Sequence, residues 1–421
     1  MNKDIPYVET LPSHWSVIQN RFLFYYDGQK VGNAHKDYQL LSLTTGGVKE
    51  RDINVSGGKV PASYDNYQTV KKGQMVFCLF DLDCSAVFSG ISNYDGMITS
   101  AYDVFSNTEM IDNGFADYWF KYVFSNRYYK MFSKSIRYTI TGDMFRSLKT
   151  PVPPIKEQKR ISAFLLEQET KVDALIANVQ AQIEKLKAYK QSVITETVTK
   201  GLDPNAPMKD SELLWFGEIP QHWKLAKVKL FASTCSGGTP PSGDVSYYDG
   251  GVNWVCSYDL HETEITETEK TLSDKGAAII AGELQSPNSI LIAMYGGSGT
   301  IGNSGLLKCY ARTNQAICSI HFDEAVLNPR FAFYQTMFIR KYWMYYAVGT
   351  RKDPNISQEV VRNMKYAIPP MEEQKAMVML LDEKCSQIDS LINLKQKKIE
   401  KLVEYKKSLI YEYVTGKKEV V

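Results

Sequence analysis

The sequence predicts an α+β protein built as an internal repeat: two variable α/β domains separated by a long antiparallel two-helix coiled coil, with a pseudo-two-fold axis relating the halves. Three observations lead there. IEKLKAYKQS at Ile183–Ser192 returns as IEKLVEYKKS at Ile399–Ser408, 216 positions further on. Setting Glu157 against Glu373 and running without a gap to Thr199 and Thr415 leaves close to half of the paired positions identical. Each copy also follows a proline pair, Pro153-Pro154 or Pro369-Pro370, and further back stand LPSHW (Leu11–Trp15) and IPQHW (Ile219–Trp223). The chain therefore divides into a variable domain (1–152), a helical segment (153–208), a second variable domain (209–368) and a second helical segment (369–421).

The variable domains mix short β-rich runs with glycine turns and a few helices, as in QLLSL, QMVFCLF, SILIAMY and AICSIHF. The helical segments are read from apolar residues at alternating three- and four-residue steps. In the first these are Leu165, Val172, Leu175, Val179, Leu186, Tyr189 and Val193; in the second, Leu381, Ile388, Leu391, Leu402, Tyr405 and Leu409. Ile176, Ile183, Ile392 and Ile399 widen the seam, while Gln168, Gln182, Lys384, Lys395 and Lys398 interrupt it and leave room for a partner. The prolines set the starts, since proline is disfavoured inside a helix, and Glu157, Glu372 and Glu373 suit the positive end of the helix dipole. Direction follows from reach. Forty helical residues span roughly 60 Å, whereas a compact domain of ~150 residues has a radius of gyration near 15 Å. The second domain joins the end of one helix to the start of the other, so the helices are expected to run antiparallel.

Bulk composition excludes several classes. A formal charge of +2 over 421 residues is not that of a polycationic coat for nucleic acid. Seven scattered cysteines, without a CxxC pair, suggest neither a zinc site nor a disulfide framework and read as thiols in a reducing compartment. MNKDIPYVET lacks a signal-peptide pattern, and no stretch approaches the ~18 apolar residues of a membrane span. A soluble, cytoplasmic protein is expected.

Catalytic constellations are missing. There is no NPPY or DPPY tetrapeptide, GxSxG elbow, GK[ST] phosphate loop or metal-spaced cluster. Tyr295–Gly305 contains a literal GxGxxG at Gly297, Gly299 and Gly302, but a strand-like segment follows instead of the helix that a dinucleotide needs, so it reads as a turn. His14 and His222 occupy equivalent places beside a tryptophan, which favours a role in packing the domain entrance over catalysis. Basic, tyrosine-rich stretches do precede each helix: RYYKMFSKSIRYTITGD (Arg127–Asp143) and IRKYWMYYAVGTRKDPNIS (Ile339–Ser357). Arg127, Lys130, Lys134, Arg137 and Tyr138 in the first, and Arg351, Lys352 and Asn355 in the second, are candidate DNA contacts. The polar loop Ser236–Leu260 adds Thr239, Ser242, Tyr247 and Tyr248, whose hydroxyls suit phosphates and base edges. The acidic run His261–Glu269 should point away from a duplex.

The paired PPxxEQ helices, WFGEIPQHW, and SGGTP…YYDGGVNWV…DL followed by YGGSGTIG…NQAI resemble, across the whole chain, the DNA specificity subunit of type I restriction-modification enzymes. That resemblance implies two target recognition domains, each reading half of a split, asymmetric site in double-stranded DNA. It implies that the coil fixes the gap and docks two copies of a modification (methyltransferase) subunit, through positions such as Leu165, Val172, Leu175, Ile183, Leu186, Tyr189, Leu381, Ile388, Leu391, Ile399, Leu402 and Tyr405. No cofactor is then expected in this chain, S-adenosylmethionine and catalysis belonging to the modification subunits and cutting to restriction/translocase subunits. A coiled-coil scaffold or adaptor without DNA readout is the alternative.

Overall fold

The computed structural model describes residues 5–52, 63–133, 135–296, 299–349 and 354–420. Contacts divide the chain into two units, 1–180 with 396–421, and 181–395. Each unit thus owns one variable domain and part of each long helix. These helices run Ile155–Lys200 and Met371–Val414, starting directly after the proline pairs. α+β is the class observed.

In the first unit a four-stranded antiparallel sheet takes the order Phe24–Tyr26, Asp103–Asn107, Met75–Phe77, Ser89–Ile91. Helix Asn113–Ser125 turns Phe115, Trp119, Phe120 and Val123 inward. The core is largely aromatic: the rings of Phe24, Phe77, Phe105, Phe120 and Phe145 meet in tilted and edge-on pairs 4.7–6.3 Å apart. Such geometries suit ring quadrupoles. A two-stranded antiparallel ribbon, Ser16–Gln19 with Lys149–Val152, ties the beginning of the domain to its end.

The second unit carries a mixed five-stranded sheet in the order Ala232–Ser236, Ile317–Phe322, Ile290–Ala293, Ser304–Leu307, Thr263–Ile265, the last pair being parallel. Its central strand, ILIA, is buried at every residue, as expected for a strand covered on both faces. Helix Pro329–Ile339 is buried at all but Arg330. A three-stranded sheet of Thr271–Leu272, Tyr248–Val255 and Ala311–Thr313 lies beyond. The closing ribbon recurs as Lys224–Lys227 against Lys365–Ile368.

Within each unit the long helices pack antiparallel. In the first, Phe164 meets Tyr413 with ring centroids 4.7 Å apart, and Lys406 Nζ lies 2.7 Å from Glu169 and 2.9 Å from Asp173. In the second, Lys190 Nζ lies 2.7 Å from Asp389, and Lys395 donates to Gln182 Oε1 at 2.5 Å. Two interruptions of the expected seam thus satisfy each other. Leu165, Val172, Ile183, Leu381 and Ile388 are buried, and Leu186, Ile399 and Leu402 half-buried. Leu175, Tyr189, Leu391 and Tyr405, expected in the seam, are instead 48, 55, 47 and 51% exposed. The cause is geometric: with Val172, Val179 and Ile183 facing inward, residues three beyond Val172 or six beyond Ile183 project from the flank of the pair.

Candidate nucleic-acid interface

The same polar clamp holds both variable domains to their helices. In the first unit, Glu157 accepts hydrogen bonds from His14 Nε2 and Trp15 Nε1, both at 3.0 Å. The next residue, Gln158, is fully buried; its Oε1 accepts from Asp112 N at 2.7 Å, and its Nε2 donates to Met110 O at 3.0 Å and Pro153 O at 2.8 Å. Asp112 caps helix Asn113–Ser125 by accepting from Phe115 N. The second unit repeats each contact. Glu373 accepts from His222 Nε2 (2.9 Å) and Trp223 Nε1 (3.1 Å), while buried Gln374 engages Asn328 N, Val326 O and Pro369 O. Asn328 caps the helix that follows.

The glutamate of PPxxEQ therefore grips the HW entrance and the glutamine grips the cap of a domain helix. His14 and His222 are hydrogen-bonded fasteners more than packing residues, and both are about half exposed. Sequence reading missed Gln158 and Gln374, although their repetition beside the glutamates was the available signal.

Gly416 and Gly201 complete the clamps. Both have positive φ, 68° and 73°, the left-handed conformation that ends helices. A Cβ on Gly416 would come within 2.4 Å of Pro12; on Gly201 it would come within 2.8 Å of Glu373 Oε1. Trp15 and Trp223 each touch the start of one long helix and the end of the other.

Charge is concentrated where domain meets helix. Burial pushes the Glu169 carboxyl up, but the hydrogen bond from Lys406 and the charges of Lys121 and Lys406 outweigh it and hold it below its ordinary value. In the second unit, Arg330 joins Asp382 (2.7 Å) to Glu264 (2.8 Å) beside a cleft of about 910 Å³, and Tyr334 donates to Asp382 at 2.6 Å. Glu262 pairs with Arg340 at 3.1 Å. The acidic run thus spends charge on its own domain.

The candidate DNA residues separate into anchored and free groups. Arg127, at φ 55°, donates to Leu82 O and Ser85 O and lies 4.0 Å over Phe124. These contacts brace the fold. Tyr248 likewise donates to Pro240 O at 2.8 Å, anchoring its loop. Tyr247 lies beneath Lys275, Thr239 donates to Gln315, and Asn355 pairs with Val348 in a short ladder. Lys130 sits 4.0 Å over the ring of Tyr138. Arg137 and Ser242 are exposed. Lys134, Arg351 and Lys352 lie outside the described residues, as does Gly297 of the glycine run. Gly302 packs its Cα against Trp343 and precedes strand Ser304–Leu307, consistent with the turn expected there. Among the described residues no His, Cys, Asp and Glu group could hold a metal, and no helix is long and apolar enough to cross a membrane.

Two α+β units with one repeated clamp and differing sheets define a duplicated scaffold. Residues 220–404 match the family described as the type I restriction modification DNA specificity domain. Two similar proteins come from Methanocaldococcus jannaschii. The type I restriction enzyme MjaVIII specificity subunit is 28% identical over 287 residues, covering 65% of this chain and 63% of the relative. The putative MjaX specificity subunit is 26% identical over 285 residues, covering 66% and 61%. The matches thus span somewhat less than two thirds of these relatives. A structure described as underlying complex assembly and conformational transition of the type I R-M system superposes with a TM-score of 0.71 at 15% identity, over 97% of this chain and 99% of that one. The HsdS subunit from Thermoanaerobacter tengcongensis gives 0.50 at 14% identity, over 98% of each. The chain is thus similar to type I restriction enzyme specificity subunits, and residues 220–404 carry that family's domain.

Proposed function

We propose that this chain is the non-catalytic specificity subunit of a type I restriction-modification enzyme, each variable domain reading one half of a bipartite, asymmetric DNA site. One observation carries the reading: identical clamps present two different sheets. A scaffold that must hold two readers alike, while each meets different bases, calls for that combination. An adaptor without DNA readout gives no reason for the divergence.

The long helices act in this reading as an antiparallel coiled coil that sets the gap and docks two methyltransferase subunits, which bring S-adenosylmethionine; restriction/translocase subunits complete the assembly. The outward residues fit the docking role, because Leu175 with Tyr405 in one unit repeats as Leu391 with Tyr189 in the other. Two equivalent patches suit two copies of one partner.

Methylation mapping tests the assignment. The chain alone should transfer no methyl groups, and adding the partner methyltransferase should confer site-specific methylation. One heptad inserted after both Ala181 and Lys397 lengthens the helices by ~10 Å, so the gap should grow by roughly three base pairs at ~3.4 Å each. Altered flanking bases or an unchanged gap would refute the spacer role.

A further inference from the structure

Ile136 is 99% exposed, barer than any other large apolar side chain among the described residues. Its position is built. Ser135 O accepts from Tyr138 N at 3.0 Å, making Ser135–Tyr138 a β-turn with Ile136 and Arg137 at the corners. The base of the turn is braced by Thr139 N donating to Ser135 Oγ (2.8 Å) and Ser133 Oγ donating to Thr139 O (2.9 Å). Tyr138 takes φ 46°, accepts from Leu82 N through its carbonyl and lies beneath Lys130 Nζ. Ile140, buried, donates from its amide to Leu79 O at 2.9 Å and fastens the turn to the domain. Arg137 is exposed and makes no hydrogen bond or ion pair among the described residues.

A lone apolar tip beside an unspent guanidinium, on a preformed turn, complements a surface that alternates anionic groups with apolar faces. Duplex DNA is such a surface: phosphates line its edge, and branched apolar side chains can part its base steps. We propose that Ile136 is a wedge that enters a base step of the half-site read by the first domain, with Arg137 seated on a neighbouring phosphate. The proposal rests on the DNA-reading function assigned above. It makes Ile136 a positioning residue, selecting steps that unstack easily instead of reading base edges.

The test uses the full chain assembled with its methyltransferase and a duplex identified by methylation mapping, with 2-aminopurine placed in turn at each step of the first half-site. Binding of the native complex should brighten one step. Ile136→Ala should abolish that signal and weaken cognate binding roughly tenfold, with an unchanged melting temperature; Ile136→Leu should restore most of both. Arg137→Ala should weaken cognate and unrelated duplexes alike. Selective binding with no bright step, or unchanged emission in Ile136→Ala, overturns the wedge alone. Failure of the native complex to select any duplex overturns the DNA reading itself. Loss of the methyltransferase from the Ile136→Ala complex would make the tip a protein contact and also overturn the proposal.

Discussion

The two units differ in their sheets and agree in their clamps. The first sheet is four-stranded, antiparallel and packed with phenylalanine; the second is five-stranded, mixed and centred on the aliphatic ILIA strand. Yet Asp112, Glu157 and Gln158 stand 216 positions before Asn328, Glu373 and Gln374, each pair in corresponding contacts. Tyr118 and Tyr334, equally spaced, each donate to a long-helix carboxylate, though at the non-equivalent positions Glu169 and Asp382. The contrast locates two separate demands. A clamp must hold a domain in one orientation, so its donors and acceptors recur. The sheet needs only to fill its core and present a surface, which many side chains can do.

The clamp glutamines should show the largest mutational effect. Gln158→Leu leaves Asp112 N, Met110 O and Pro153 O without their partner, each costing about 1–3 kcal/mol when buried. We expect a loss of about 3 kcal/mol confined to the first unit, and a similar loss confined to the second for Gln374→Leu. Hydrogen exchange over Asn113–Ser125 and Pro329–Ile339 distinguishes the units. A change below about 1 kcal/mol would mean that the glutamines are not the main fasteners.

The terminal glycines should separate the units more finely. Alanine in the left-handed region costs about 1 kcal/mol at either position. At Gly416 the added methyl also meets the rigid ring of Pro12 at 2.4 Å, whereas at Gly201 it meets, less closely at 2.8 Å, the Glu373 carboxylate that His222 and Trp223 hold. Gly416→Ala should therefore cost about 2 kcal/mol and Gly201→Ala about half as much. Equal melting shifts would remove this distinction.

Much of this organisation was legible. The proline pairs, acidic starts and apolar spacing announced both long helices, and the repeat announced equivalent entrances. The facing of individual side chains was not. Leu175 and Leu391 satisfy a seam pattern as well as Val172 does, but a pair of helices buries only a narrow strip, and the neighbouring row turns outward. Arg127 was equally opaque, because a basic residue in a tyrosine-rich stretch does not reveal the carbonyls folded around it. Its distant partners Leu82 and Ser85 lie more than 40 positions earlier.

Arg127 and Arg137 consequently offer an internal comparison within the first domain. Arg127→Ala should lose about 1–2 kcal/mol of stability through two carbonyl hydrogen bonds and a ring contact, leaving the salt dependence of DNA binding unchanged. Arg137→Ala should leave stability unchanged and lower the salt slope by about one unit. Thermal melts and binding titrations at several salt concentrations would expose a reversal of these roles.

The smallest effect concerns the ion pairs between the long helices. Lys406 meets two carboxylates, one of them the well-covered Glu169, whereas Lys190 meets Asp389, whose side chain is 54% exposed. Lys190→Met should cost a few tenths of a kcal/mol, as surface pairs do, and Lys406→Met about 1 kcal/mol. The second loss should depend on pH. Because the folded Glu169 carboxyl is held below its ordinary value of 4.5, its stabilisation is present above that value and disappears as pH falls through the depressed one. Without Lys406, burial has less opposition and the folded value rises. The gap between native and variant should thus be widest near neutrality and close as the carboxyl becomes protonated in both. Urea titrations across this range would decide: a gap independent of pH would show that Lys406 acts through packing of its aliphatic stem instead of its charge.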